Sequence, residues 1–181
     1  MFPELEIRLV EKSDVPALGT ITVAASKTAF DGNIPPETVD RSWTAEVSSS
    51  NWYRLLWEEQ PAERDRFDVA VVDNRVIGFI WDSPGAHTPG FEWSIRGLYV
   101  HPEFHNQGIG RKLISHVARR IIDAGITTLE IGCAKNNPFC GFYRYLGGVE
   151  VGRKDLMIDD YETEEIMFGW TDLSVLVGEI G

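Results

Sequence analysis

Cysteine is scarce in this chain: Cys133 and Cys140 are the only two among 181 residues. So small a supply excludes a scaffold held by several disulfides, and no secretory leader is expected. Both thiols are therefore expected to be reduced, and the protein cytoplasmic. No apolar run approaches the roughly 20 residues needed to cross a bilayer, so no membrane is expected as a partner. Positive charge is short as well. Lys and Arg number 17 against 28 Asp and Glu, a formal net charge of −11 that weighs against nucleic acid and anionic membranes. Histidine and cysteine never cluster at zinc spacing, and no Gly-x-Ser-x-Gly elbow occurs. Metal-dependent and serine-hydrolase chemistries therefore have no support. There is no repeat and no low-complexity tract. A chain this long predicts one domain over residues 1–181, burying about two thirds of its unfolded surface. Apolar residues at 43% and charged residues at 25% are ordinary globular values.

What the chain does contain is one dense stretch, Ile95 to Lys112. Up to Val100 it is apolar and aromatic at strand length, and Pro102, with no N–H to donate, stops the ladder. Polar and turn-prone residues follow, ending in Gly108-Ile109-Gly110. The pattern then becomes helical: Leu113, Ile114, Val117, Ala118, Ile121 and Ile122 recur at three- and four-residue steps. Gly125 lies where a helix end favours a left-handed residue. A strand, a glycine-bearing loop and a helix N-terminus make an anion site, because first-turn N–H groups lack partners and glycine admits a phosphate close to the backbone. Arg111 and Lys112 add positive charge there.

A P-loop would need Gly-Lys-Ser/Thr, which is absent, and a Rossmann turn would need a third glycine where Leu113 stands. The stretch instead resembles the acyl-CoA turn of the GNAT N-acetyltransferase superfamily, Val-x-Pro-x-x-(Gln/Arg)-x-x-Gly-x-Gly/Ala. Val100, Pro102, Gly108 and Gly110 fall in register, and His105 takes the Gln/Arg position. A second block, Asn136 to Gly148, resembles that family's Asn-x-x-Ala-x-x-Phe-Tyr-x-x-x-Gly-Phe element. Here Asn136, Phe142, Tyr143 and Gly147 match, Phe139 replaces the small residue and Gly148 the aromatic. With the opening Ile7-Arg8-Leu9-Val10 and Asp14, the resemblance covers about residues 5 to 170.

Around these blocks the chain reads as alternating strands and helices. Leu5 to Val10 alternates as a half-buried strand. Ser13-Asp14 then caps a helix whose apolar face is Val15, Leu18, Ile21 and Ala25, and Phe30 to Pro36 breaks it. Glu37 to Gln60 predicts one or two helices, interrupted at Ser48-Ser49-Ser50 and rich in Trp43, Trp52, Tyr53 and Trp57. Phe67 to Val72 and Arg75 to Trp81 make a hairpin across Asp73-Asn74. Ser83 to Gly90 is a loop and Phe91 to Val100 a strand, with Gly97 marking a bulge or a close backbone approach. Thr128 to Ala134 is another strand. Val149 to Ile158 and Glu164 to Trp170 form a last hairpin across Asp159 to Glu162, and the tail from Thr171 carries no signal.

The resemblance implies an α/β fold: a mixed, mostly antiparallel sheet, splayed in the middle, with helices on both faces. It implies acetyl-CoA as cosubstrate and a primary amine as acceptor, joined by direct attack in a ternary complex, and it leaves a homodimer open. CoA would be gripped by the turn (His105, Asn106, Gln107, Gly108, Ile109, Gly110, Arg111), by strand amides of Leu98, Tyr99 and Val100, and by Asn136. Tyr143 would face the sulfur as the acid. Many relatives place a glutamate base on the bulged strand. That register falls on Ser94, which makes Glu92, two residues earlier on the same face, the best candidate base. Glu130 is a weaker candidate base, expected rather to be an exposed strand residue. The rival readings are a non-catalytic acyl-CoA-binding module, against which Tyr143 argues, and a transferase with another acyl donor or a hydroxyl acceptor.

Overall fold

Asp73 and Asn74 both adopt positive φ, 49° and 60°. This is the type I′ geometry that matches the twist of the strands it joins. The turn connects β2 (Arg66–Val72) to β3 (Arg75–Pro84). The computed structural model describes residues 4–30, 44–59, 65–158 and 161–178, and in it this hairpin belongs to one seven-stranded sheet. The remaining strands are β1 (Glu6–Leu9), β4 (Trp93–Val100), β5 (Leu129–Ala134), β6 (Val149–Ile158) and β7 (Tyr161–Trp170). Their order is β1-β2-β3-β4-β5-β7-β6, and β4 with β5 is the one parallel pair. The fold is thus the mixed, mostly antiparallel α/β sheet that the sequence leads one to expect.

A parallel pair needs a crossover, and α3 (Ile109–Asp123) supplies it. Its apolar stripe of Leu113, Ile114, Val117, Ala118 and Ile121 is 0% exposed. It packs with Ile77, Ile80, Ile95 and Ile131 on one face of the sheet. Full burial contributes about 1.5–3 kcal/mol for each large aliphatic side chain, enough to seat the helix firmly. Gly125, at φ 81°, ends it as the sequence predicts.

The opposite face carries α1 (Val15–Phe30) and α2 (Ala45–Tyr53). Leu18 and Ile21 pack there against Val69, Val71 and Phe79. Ser48-Ser49-Ser50 does not interrupt the second helix, which runs through the serines and ends in one π turn, Arg54–Glu58. The reason is helix–helix packing. A Cβ at Gly19 of α1 would collide with Ser49, so glycine and serine together let the two axes approach closely. Thr44 caps α2 by accepting from the Val47 N–H.

Other boundaries shift modestly. β3 extends to Pro84 and β4 begins at Trp93. β7 begins at Tyr161, so Ile158 pairs with Tyr161, while Asp159 and Asp160 lie outside the described residues. The predicted break at 31–36, the first part of the Glu37–Gln60 helix and Trp43 also lie outside them. The tail is structured after all. Leu173, at the N-cap of α5 (Ser174–Val177), and Leu176 within it are buried in the core that holds α3. Among the described residues, no helix is long and apolar enough to cross a membrane.

Candidate active site

β4 and β5 pair only at Trp93, Ser94 and Ile95, opposite Leu129, Glu130 and Ile131. Just past Ile95 the register with β3 slips, since Trp81 pairs with Gly97 and Asp82 with Ile95, which leaves Arg96 as an extra residue. This bulge sits beside the glycine that predicted it. Beyond it β4 turns away, and a gap opens through the sheet between Arg96–Val100 and Ile131–Ala134. The gap belongs to a cavity of about 480 Å³ that reaches both faces.

A buried network fixes the closed end of the splay. Asp82, 0% exposed, accepts from Trp93 Nε1 at 2.7 Å and from Arg120 of α3 at 2.6 Å. These bonds tie β3, β4 and α3 together where the strands part.

On the α3 face, Gly108 takes φ 78° and begins the helix without a side-chain cap. The first-turn N–H groups of Ile109, Gly110 and Arg111 have no acceptor within the helix. They sit at the cavity wall, where a phosphate suits both their hydrogen bonds and the helix dipole. His105 Nε2 lies 2.8 Å from the Val100 carbonyl, which ties the turn to the strand end, and its ring meets Phe139 edge-on at 5.1 Å. The aromatic residue at 139 is thus used to brace the histidine at 105, a pairing of two departures from the family pattern.

Leu98, Tyr99, Val100, His105, Asn106, Gly108, Ile109, Gly110 and Arg111 all line the cavity. Two proposed CoA contacts do not. The Gln107 side chain donates to the Glu103 carbonyl at an exposed position. Asn136, at φ 67°, lines a separate groove with Lys135, Pro138 and Arg153, while its neighbour Asn137 also lines the cavity.

Tyr143 sits on α4 (Cys140–Tyr145), 7% exposed, against the gap. No hydrogen bond to its hydroxyl occurs among the described residues. Burial pushes its phenol well above the ordinary value, with smaller contributions from the nearby Cys133 and Cys140 thiols. Those cysteines are free, with sulfurs 3.0 Å apart, and burial also pushes Cys133 up.

Glu92 is corrected by the structure. It precedes β4 at the closed end of the splay, is exposed and lies outside the cavity lining. Its carboxylate accepts from the Thr127 N–H at 3.0 Å and the Thr127 hydroxyl at 2.9 Å, bonds that hold it below the usual carboxylate range. Glu92 staples the loop before β5, away from the cavity. Glu130 is also corrected: it is 0% exposed, and its carboxylate accepts from the His87 and Thr88 N–H groups, fixing the loop between β3 and β4.

A family model described as "Acetyltransferase (GNAT) family" matches residues 36–147, more than half of the chain. The chain belongs to the GNAT acetyltransferase family. It is 26% identical over 102 residues to the uncharacterized N-acetyltransferase YuaI of Bacillus subtilis, a match that spans 56% of this chain and 59% of that protein. Its fold is similar to the PaiA N-acetyltransferase of Thermoplasma acidophilum, solved in complex with coenzyme A. There the TM-score is 0.70 and the identity 19%, over 93% of this chain and 99% of that one. A GCN5-related N-acetyltransferase from Rhodopseudomonas palustris superposes at TM-score 0.72 and 18% identity, covering 94% and 98%. The ribosomal-protein-S18-alanine N-acetyltransferase of Escherichia coli gives 0.64 and 18%, covering 98% and 97%.

Within this GNAT domain, the face opposite α3 holds groups that sequence reasoning passed over. Thr22, Ser26 and Phe30 of α1, Arg96 of the bulge, Leu156 and Ile158 of β6, and Glu165 of β7 line the cavity there. Trp52 is not free to reach over the cavity, because its indole packs edge-on against Phe79 and Tyr99 and donates to Thr22 at 2.8 Å. Glu165 was missed because it lies on β7, remote in sequence from both motifs. Its one available signal is the run Glu162-Thr163-Glu164-Glu165, acidic on a strand that turns apolar at Ile166.

Proposed function

We propose that the protein transfers the acetyl group of acetyl-CoA to a primary amine, by direct attack while both substrates are bound. The carrying observation is the cavity that passes through the splayed sheet. One end meets an uncapped helix N-terminus suited to a diphosphate, and Tyr143 flanks the gap. The residues present fit acetyl-CoA. First-turn N–H groups hold the diphosphate and Arg111 adds charge. The open edge of β4 at Leu98–Val100 offers backbone groups to the amide-bearing pantetheine arm. The coenzyme A held by the Thermoplasma acidophilum neighbour supports this assignment. A strand N–H at the bulge is placed to stabilise the oxyanion that develops on the thioester carbonyl.

Tyr143 serves the leaving sulfur. A phenol with pKa near ~10 protonates a thiolate whose conjugate pKa is near ~8.5 only uphill, by about 2 kcal/mol. Burial pushes Tyr143 higher still and steepens that slope. Its contribution is therefore a strong hydrogen bond to the departing thiolate, whose final proton comes from the attacking nitrogen. The amine loses one proton before attack and one after it. The reaction is assayed by thiol release from acetyl-CoA across a panel of amines. Tyr143→Phe should keep CoA affinity and lower turnover by about 10²–10³-fold, the range for losing one preorganised donor to a developing anion. Full turnover in that variant, at unchanged affinity, would remove Tyr143 from the chemistry.

A further inference from the structure

An alkylammonium must shed a proton before it can attack, since its pKa near ~10.4 keeps it charged at neutral pH. With Glu92 outside the cavity, the group that takes this proton lies elsewhere. Among the described residues lining the cavity, Glu165 is the one carboxylate, and the one histidine, His105, is bound to a backbone carbonyl on the CoA side. Glu165 stands on β7 opposite Ala134 of β5, at the far side of the gap. Its carboxylate reaches over β5 because residue 132 is glycine, where a Cβ would collide with it. It is thereby laid across the open part of β5, at the acceptor end of the gap. The wall beside it is apolar, formed by Ala25, Ala29, Phe30, Leu156 and Ile158.

We infer that Glu165, seated over Gly132, is the acceptor subsite of this enzyme: it binds a primary alkylammonium with an apolar body and takes the proton that frees its lone pair. The inference rests on the transferase reading and adds to it the acceptor's chemical class and the residue that receives it. The proton balance closes. One proton passes from the ammonium to Glu165 and on to solvent. The nitrogen then attacks the thioester carbon, the C–N bond forms and the C–S bond breaks. The second nitrogen proton goes to the sulfur, which leaves as the free thiol. Lys154 of β6 pairs with Glu165 at 2.8 Å, and Arg96 and Tyr99 of β4, Cys133 of β5 and Tyr143 of α4 line the same cavity. The Lys154 pair holds the carboxylate in place.

The test compares wild type with Glu165→Gln in amine-dependent thiol release from acetyl-CoA, using hexylamine, a cation at pH 7, and aniline, which is neutral there. For hexylamine, Glu165→Gln should lower kcat/KM by about 10²–10³-fold at pH 7, within the range for a lost general base. The deficit should shrink as pH rises toward 9.5 and free amine accumulates. Aniline turnover should change by less than about 10-fold, because that amine needs no prior deprotonation. CoA affinity by calorimetry should stay within a factor of two, as should the wild-type and variant binding of pantetheine-bearing analogues. Gly132→Ala keeps Glu165 and Lys154 but displaces the carboxylate, so it too should lower kcat/KM for hexylamine without weakening CoA. A binding readout separates the two readings. In the presence of CoA, hexylammonium should bind wild type and lose at least tenfold in affinity on Glu165→Gln. If amine-dependent release persists while Glu165→Gln is equal to wild type, or is reduced by the same factor at every pH and for both amines, this inference is overturned and the transferase reading stands. Were no amine to elicit thiol release from wild type, the transferase reading would fall and this inference with it.

Discussion

Arg120→Met is expected to destabilise the fold by about 3–5 kcal/mol, the cost of removing one partner from a buried ion pair. The guanidinium reaches Asp82 Oδ1 at 2.6 Å, and Trp93 Nε1 donates to the same oxygen at 2.7 Å. Asp82 is 0% exposed, so without the arginine a core carboxylate keeps one neutral donor. Methionine preserves the packing of the arginine stem, which leaves charge as the principal change. At about 2–4 °C per kcal/mol for a chain of this size, the melting midpoint should fall by roughly 6–20 °C. Acidity gives the loss a signature. Burial already pushes Asp82 up in the wild type, against the pull of Arg120, and the variant raises it further. A carboxyl whose folded pKa exceeds its unfolded value favours the native state below the unfolded value. That preference is lost as pH climbs through the folded one. The variant's deficit should therefore be smallest near pH 4 and largest above neutrality. Thermal melts from pH 4 to 8 measure it, and Arg120→Met combined with Asp82→Leu should recover most of the loss. A deficit under about 1 kcal/mol at pH 8, the value of an exposed pair, would refute the argument, and so would one that ignores pH.

Gly110→Asp should abolish CoA binding by calorimetry. A Cβ at that position meets Phe142 at an ordinary 3.4 Å, so Gly110→Ala should fold and bind, isolating charge as the cause; near-wild-type affinity in the aspartate variant would sink the phosphate site. His105→Ala should weaken CoA modestly, by loosening the turn from Val100, and a total loss of binding would show that the histidine contacts the ligand itself. Glu92→Gln should leave turnover and its pH dependence at wild-type values while lowering the melting temperature, because the carboxylate holds Thr127 and not a substrate. A pH-dependent loss of rate in that variant would restore Glu92 to the chemistry.

The turn side of the cavity was legible because it is local. Strand, turn and helix N-terminus are contiguous from Trp93 to Asp123, so backbone groups and glycines fall in sequence order. The opposite wall was not. Glu165, Arg96, Phe30 and Leu156 come from four elements, and only tertiary packing brings them to one wall. Glu92 misled for a related reason. Period-two alternation places it on a face of the strand, yet alternation says nothing of how far along the strand the sheet remains closed. Glu130 shows the same limit from the other side. A glutamate in a strand reads as solvated, but two loop N–H groups supply enough hydrogen bonding for full burial. Ser48 to Ser50 misread as a break because serine's weak helix preference is overridden by the close approach it permits to Gly19.

Among the described residues, three rungs of parallel pairing are the only strand-to-strand pairing between the four-stranded half of the sheet, β1 to β4, and the three-stranded half, β5 to β7. Two strand edges thus face each other inside one molecule, each with backbone groups that no neighbouring strand answers. An extended guest carrying its own amides would complete this sheet as an added strand. Binding and folding would then draw on the same hydrogen bonds, so that the protein with such a guest in place would be a more completely folded object than the protein alone.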